Sequence, residues 1–258
     1  MRLIILAAGQ GTRLRPLTND RPKCLVKLAG KSLLDWQLDI AERCGIKDVI
    51  VVGGFCAELL ERPGVEVVLN SRYAETNMVS SLFCAESFFG EEFILSYGDI
   101  VFSAQVFETI LGSSCPIGVT VDSEWQKYWE MRFANPLSDA ESLRIGEKGL
   151  IESIGQKEED ISRIEAQYLG LSVFREKGID SLRHCYDLAI KSQGDGESPF
   201  SCGRTLENLY MTDLLQGMIN YGVQIHSVPV NEGWLEIDSL EDLDIAEALV
   251  KTGRLERQ

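Results

Sequence analysis

Two short apolar runs, "LIILA" (3–7) and "DVIVVGG" (48–54), enclose "SLLDWQLDIAERCG", in which Leu34, Leu38 and Ala41 recur at helical spacing before Gly45. Aliphatic runs too short for helices read as buried strands, and the 3.6-residue period between them reads as a helix laid over both. Such a βαβ unit makes its two strands parallel. The alternation continues with "VEVVLN" (65–70), a helix through "MVSSLFCAESFF", the strand "FILSYGD" (93–99) and a helix from about Ala104 to Leu111. The expected fold class is therefore α/β, with a Rossmann-like, doubly wound, mixed but mainly parallel sheet. After "PIGVTVD" (116–122) the pattern turns irregular. Strand candidates remain at 150–155 and 168–174, helices near 179–191 and 206–221, then "WLEID" and a C-terminal helix starting near Ser239.

No Pro/Ser-rich linker, repeat or low-complexity tract divides the 258 residues, and "KSQGDGESPFSCGR" (191–204) reads as a loop, so 1–258 is expected to be one domain. The chain begins at once with a strand-like run that lacks the charged n-region and small-residue cleavage site of a signal peptide, and no apolar segment approaches the ~20 residues of a membrane span. No membrane association and a cytoplasmic location are expected. The 7 cysteines are widely spaced with no C-x-x-C pair, which predicts reduced, mostly buried thiols and disfavours zinc.

Charge is unevenly placed. The chain carries 25 Lys+Arg against 40 Asp+Glu, a net charge of -15. Residues 1–31 nevertheless hold Arg2, Arg13, Arg15, Arg21, Lys23, Lys27 and Lys31 against the single acid Asp20, so this segment is +6 and the remainder −21. A nucleic-acid partner would be repelled everywhere except at this edge. A small anion is the expected ligand.

The cations follow a glycine-rich turn, "LAAGQGTRLRPLTNDRPK" (6–23), directly behind the first strand. Backbone N–H groups can approach phosphate oxygens where Cβ atoms are absent. "GQGTRL" lacks the third glycine of G-x-G-x-x-G, and "VVGG" offers no acid for a ribose hydroxyl, so a dinucleotide site is disfavoured; no G-x-x-x-x-G-K-[ST] occurs. A chance tight turn is the bland alternative, and the clustering of Arg13, Arg15 and Lys23 counts against it.

"LAAGQGTRLRPLT" followed by "RPKCLV" resembles the signature of nucleotidyltransferases that join an NTP to a phosphorylated small molecule. The resemblance implies that Leu6, Ala7, Ala8, Gly9, Gly11 and Thr12 wrap the nucleotide phosphates, that Arg13 steadies the triphosphate and that Lys23 bridges toward the acceptor phosphate. An acceptor phosphate is already an anionic nucleophile and needs no general base, which agrees with His184 and His226 standing outside any motif. Catalysis then rests on positioning, charge neutralisation and a hard cation. Asp99 in "SYGDIVF" and Asp238 in "GWLEIDS" sit at strand ends, where α/β sheets bind ligands, and both match the family's paired Mg²⁺-binding aspartates. Glu236, two residues before Asp238, shares its strand face and is a weaker candidate.

"EIDS" in place of the D-x-G of sugar enzymes, together with "LNSRYAETNMVSSL" (69–82), resembles the choline-phosphate cytidylyltransferase branch. There Asn77 or Ser80 would contact the cytosine edge, or Asn77 would simply cap the following helix. "VDSEWQKYWEMRFANPLSDAESLRI", "EAQYLGLSVF" and "LYMTDLLQGMI" look like bacterial cytidylyltransferases that activate phosphoglutamine for capsular polysaccharide. On this resemblance residues 1–115 form the nucleotide-binding part, 116–238 the acceptor-binding part and 239–258 a C-terminal helix. Trp129, Tyr168 and Trp234 would shape an amine pocket by cation–π contact or else be ordinary packing, whereas Trp125 reads as packing. Arg132, Glu165 and Gln167 would pair with a zwitterionic acceptor or belong to the surface or a structural network.

The expected activity is Mg²⁺-dependent transfer of CMP from CTP to a small phosphorylated amine or amino acid, with phosphoglutamine ahead of phosphocholine and aminoethylphosphonate. Homodimerisation is left open. A sugar-1-phosphate nucleotidyltransferase is the alternative within the class. A non-catalytic nucleotide-binding regulator is the alternative outside it, and the joint presence of Arg13, Lys23, Asp99 and Asp238 argues against that.

Overall fold

In the computed structural model of the chain, which describes residues 1–255, alternate residues of the first strand enter two different cores. Leu3 and Ile5 pack with one set of helices and Ile4 and Leu6 with another. A strand with both faces covered must be apolar at every position, which is why "LIILA" has no polar alternation. The main sheet is built from β1 (Arg2–Ala7), β2 (Val49–Gly53), β3 (Val65–Leu69), β4 (Glu92–Tyr97), β5 (Ile117–Asp122), β6 (Gln167–Arg175) and β7 (His226–Val230). Its 7 strands run in the order β7-β5-β6-β4-β1-β2-β3. Only β6 is antiparallel to its neighbours. The expected mixed, mainly parallel sheet is present.

The helices are α1 (Leu33–Arg43), α2 (Met78–Cys84), α3 (Ala104–Gly112), α4 (Trp125–Arg132), α5 (Lys177–Gly194), α6 (Met211–Asn220) and α7 (Leu240–Lys251). Buried residues of α1, α3, α4 and α7 share the core of Leu3 and Ile5, and those of α2, α5 and α6 share the core of Ile4 and Leu6. That is double winding. Helix starts are set locally. The hydroxyl of Ser32 accepts from the Asp35 N–H at 3.0 Å, and that of Ser239 accepts from the Asp242 N–H at 3.1 Å.

Some expected boundaries differ. The helix through 78–89 stops at Cys84 and gives way to a 3-10 turn at Glu86–Phe88, because Phe89 stacks on Phe93 of β4 at 4.6 Å between ring centroids and the chain must turn back toward the sheet. The last helix before β7 begins at Met211 rather than near 206, since the Asp213 carboxylate accepts from the Tyr210 N–H at 2.8 Å and fixes the start there. The irregular stretch resolves into α4 and a two-stranded ribbon, Glu141–Ile145 with Ile151–Lys157. All 7 cysteines are free, but only Cys24 and Cys185 are buried, so the thiols are less enclosed than expected. Among the described residues no helix is long and apolar enough to cross a membrane.

Candidate active site

β1 ends at Ala7 and the chain enters the glycine loop at the C-terminal edge of the sheet. Gly11 adopts φ 64°, and a Cβ there would lie 2.8 Å from the Lys23 Cβ, so glycine lets the loop fold back onto Lys23. The Thr18 hydroxyl donates to the Gly11 carbonyl at 2.8 Å, and Leu14 is wholly buried, which anchors the loop from below. Lys23 opens a 3-10 turn after Pro22.

The two candidate metal aspartates are brought together by a second, small sheet. Ile100–Phe102 pairs antiparallel with Trp234–Glu236, with Glu236 opposite Ile100. Asp99 precedes the first of these strands and Asp238 follows the second. The turn carrying Asp99 is held by Gln37 of α1, whose buried amide nitrogen donates to the carbonyls of Tyr97 (2.8 Å) and Ile100 (2.7 Å) while its oxygen accepts from the Ser96 hydroxyl at 2.8 Å. Gln37 is a positioning residue that the sequence reading missed. Its one signal is a polar residue on the apolar face of α1, between Leu34 and Ile40.

Carboxylate oxygens of Asp99, Glu236 and Asp238 all lie within 4.8 Å of one another. The Lys23 ammonium pairs with Asp99 at 2.7 Å and with Asp238, and Arg13 reaches Asp238 at 3.1 Å from a side chain that is 65% exposed. Burial alone would lower the Lys23 pKa, yet Asp99 and Asp238 outweigh it and raise it. Burial would raise Asp238, but Lys23, Arg13 and Arg132 hold it below its ordinary range. Glu236 is pushed up to about 7, mainly by burial, with Arg132 opposing. Hard oxygen donors in this number suit a divalent cation such as Mg²⁺. Asp99 Oδ1 is buried with no hydrogen-bond partner among the described residues, so the cluster retains an unused donor for such an ion.

Two cavities meet here. The first, about 150 Å³, is lined by Leu6, Ala7, Ala8, Gly9, Lys23 and Asp99 on one side and by Tyr73, Asn77, Met78, Ser81 and Tyr97 on the other. The second, about 240 Å³, is lined by Trp129, Asp139, Glu141, Gln167, Tyr168, Tyr210, Thr212 and Glu236, among others. Met78 and Tyr97 border both. The Tyr97 ring lies against β6 at Gly170, which adopts φ 81° and where a Cβ would come 2.5 Å from the ring. No lysine, arginine or histidine lines the second cavity among the described residues.

Other expected residues fall differently. Asn77 lines the first cavity and also caps α2, its side-chain oxygen accepting from the Met78 N–H at 2.9 Å. Ser80 faces away, its hydroxyl donating to the Glu207 carbonyl at 3.3 Å, and its neighbour Ser81 takes the cavity wall. Trp129, Gln167 and Tyr168 line the second cavity. The Tyr168 hydroxyl bonds to that of Ser172 at 2.9 Å, and burial pushes it up to about 12. Trp234 does not: it is 1% exposed, and its indole N–H donates to Asp122 at 2.9 Å, which makes it packing. Glu165 lies on an outer groove with Arg144, Glu158 and Arg163, where it accepts from the Ile145 N–H at 2.7 Å. Arg132 is enclosed, its side chain 0% exposed and its guanidinium engaged by Glu236 at 2.5 Å and Asp242 at 2.8 Å. Direct contact with an acceptor carboxylate is therefore removed as its role, because no face of it reaches either cavity.

Sequence and structure comparisons identify the family. The MobA-like NTP transferase domain matches residues 3–158. The CTP:phosphoglutamine cytidylyltransferase of Campylobacter jejuni is 35% identical over 256 residues, covering 95% of this chain and 98% of the relative. The 2-aminoethylphosphonate cytidylyltransferase of Lancefieldella rimae is 27% identical over 93% of this chain and 89% of its own length. Among solved structures, a CTP:phosphocholine cytidylyltransferase from Streptococcus pneumoniae superposes with a TM-score of 0.70 over 96% of this chain and 98% of its own, at 22% identity, which supports the fold alone. With the family domain spanning more than half the chain and a full-length relative above 30% identity, the chain belongs to the MobA-like NTP transferase family and is a nucleotidyltransferase.

Proposed function

We propose that the chain transfers CMP from CTP to a small phosphorylated amine or amino acid, with phosphoglutamine the favoured acceptor, in a Mg²⁺-dependent reaction. One observation carries the proposal: the carboxylate cluster sits where the two cavities join, with Asp99 on the wall of the first and Glu236 on the wall of the second. A nucleotide in the first cavity and a phosphorylated acceptor in the second would meet at that junction. An acceptor phosphate oxygen attacks the α-phosphorus, a new P–O bond forms, the bond from the α-phosphorus to the oxygen it shares with the β-phosphorus breaks, and pyrophosphate leaves. Asp99, Glu236 and Asp238 would hold the Mg²⁺ ion, which when bound neutralises phosphate charge and polarises the P–O bonds. Lys23 and Arg13 supply the remaining cations, Lys23 between the two substrates and Arg13 toward the triphosphate.

The second cavity supports the acceptor class. Asp139, Glu141 and Glu236 with Trp129, Tyr168 and Tyr210 form an acidic, aromatic wall, which attracts a positively charged head group rather than a neutral sugar. The full-length relatives are named for phosphoglutamine and 2-aminoethylphosphonate, an amino-acid and an amine acceptor. The test is pyrophosphate release with four NTPs crossed against phosphoglutamine, phosphocholine, aminoethylphosphonate and sugar 1-phosphates, with and without Mg²⁺. CTP with phosphoglutamine is expected to give the highest kcat/KM. A preference for UTP or dTTP with a sugar 1-phosphate would replace the acceptor assignment, and absence of turnover with every pair would point to a nucleotide-binding regulator.

A further inference from the structure

We infer that Arg132 is a positioning residue for the carboxylate cluster, fixing Glu236 and Asp238 in the arrangement that binds a divalent cation. The inference rests on the metal-dependent reading above.

Arg132 is the last residue of α4, and burying its guanidinium demands partners for a charge that water no longer solvates. It has them on two sides of its planar fork. One terminal nitrogen donates to Glu236 at 2.5 Å, Nε donates to Asp242 at 2.8 Å, and the other terminal nitrogen donates to Asp242 at 3.4 Å and lies 3.8 Å from Asp238. The rings of Tyr128, Trp129 and Phe133 surround it at 5.4, 5.3 and 5.0 Å from their centroids, leaving the fork little room to rotate.

A tie between α4 and α7 would need the Asp242 contact alone. Arg132 instead divides its donors, so Glu236 is held directly. Asp238 is held through Asp242, whose carboxylate also accepts from the main-chain N–H groups of Asp238 at 3.0 Å and Ser239 at 2.9 Å. Tyr128 locks the backbone beside them, its hydroxyl accepting from the Glu236 N–H at 3.0 Å. Three carboxylates this close repel one another, and without a fixed cation behind them Glu236 would turn away. A single lysine amine could not hold Glu236 and Asp242 together in one plane, which is the geometry a guanidinium provides.

The test compares Mn²⁺ affinity, read from the free-ion EPR signal, with steady-state kinetics in wild type, Arg132→Lys and Arg132→Met. Arg132→Met is expected to weaken Mn²⁺ binding tenfold or more and to lower kcat, while KM for the acceptor at saturating metal stays within about twofold. Arg132→Lys, which keeps the buried charge and guards against a misfolded Met variant, should recover only part of the loss. Unchanged Mn²⁺ affinity in Arg132→Lys, or a raised acceptor KM with metal affinity intact, overturns the role. If wild type itself binds no Mn²⁺ and turns over without metal, the metal reading fails and this role with it. A wild type that binds Mn²⁺ beside an Arg132→Lys chain that binds it equally well overturns the role alone.

Discussion

The main-chain N–H of Ile237 donates to the main-chain carbonyl of Asp99 at 3.0 Å, so the segments bearing the two candidate metal aspartates are tied by backbone, one residue from Asp238 and at Asp99 itself. Their proximity does not depend on their side chains. Asp99→Asn or Asp238→Asn is therefore expected to leave the fold intact while lowering kcat at least a hundredfold, about 3 kcal/mol of lost transition-state stabilisation. Circular dichroism paired with pyrophosphate release checks this. A well-folded double variant with wild-type turnover would sink the assignment.

Lys23 and Arg13 touch the same cluster from different depths, Lys23 enclosed and Arg13 exposed. Lys23→Ala is expected to raise KM chiefly for the acceptor and Arg13→Ala chiefly for CTP, each tenfold or more, about 1.4 kcal/mol. Removing Lys23 also removes the one cation that touches both Asp99 and Asp238, leaving only Arg13 and the more distant Arg132 beside Asp238, so the melting temperature of Lys23→Ala should fall without Mg²⁺ and recover on its addition more than wild type gains. Kinetics within about twofold of wild type for either variant would assign these cations another purpose.

Glu141, on the wall of the second cavity, is pushed up to about 7, with burial the largest cause and the Thr212 hydroxyl and Lys157 opposing it. Between an unfolded value near 4.3 and this folded value the native chain binds a proton that the unfolded chain releases, so this group's contribution to stability declines as pH rises through that window. Glu141→Gln should thus match wild type near pH 4 and exceed its stability at pH 8, by an amount on the order of 3 kcal/mol at most. Urea unfolding at both pH values decides, and an equal gap at each would refute the assignment. The ionised form attracts an amine, so KM for an amine acceptor should drop between pH 6 and 8 in wild type more than in the variant.

Gln37 donates to two carbonyls that flank Asp99. Gln37→Leu removes a donor from each, leaving the Tyr97 carbonyl only the longer bond from the Ser96 hydroxyl at 3.3 Å, and is expected to cost about 1–3 kcal/mol in urea unfolding, with a parallel fall in kcat as the turn loosens. Lost stability with unaltered kcat would make Gln37 a core residue with no influence on the site.

That Asp99, Asp238 and Lys23 come together was legible in the chain because each sits at a strand or turn end within a motif that resembles the family signature. Arg132 was singled out for an acceptor contact or a structural network, but the choice between them was not legible, because its partners Glu236 and Asp242 lie 104 and 110 positions away and no local pattern announces them. Trp234 failed for a similar reason. An indole in a strand next to the site reads as a pocket wall until its N–H is found buried against Asp122. Glu141 carries no signal of its own, since its place in the cavity depends on how the ribbon from Glu141 to Lys157 folds over α6. Alternating apolar runs sufficed for the sheet and for double winding, whereas helix ends moved wherever a cap or a ring stack intervened.

The reversed direction of β6 brings its N-terminal end, rather than its C-terminal end, to the edge of the sheet that carries the site. Its first residues, Gln167 and Tyr168, stand at the rim where β5 ends, Gln167 opposite Asp122, and beside the Tyr97 ring that closes β4. Trp129, Asp139, Glu141, Ser142, Leu143 and Ile154 of the second cavity come from the excursion between Asp122 and β6, whereas the glycine loop lines the first, and Tyr97 and Met78 border both. Under the proposed function, substitutions confined to that excursion would change the acceptor while leaving the glycine loop and its cavity as they are.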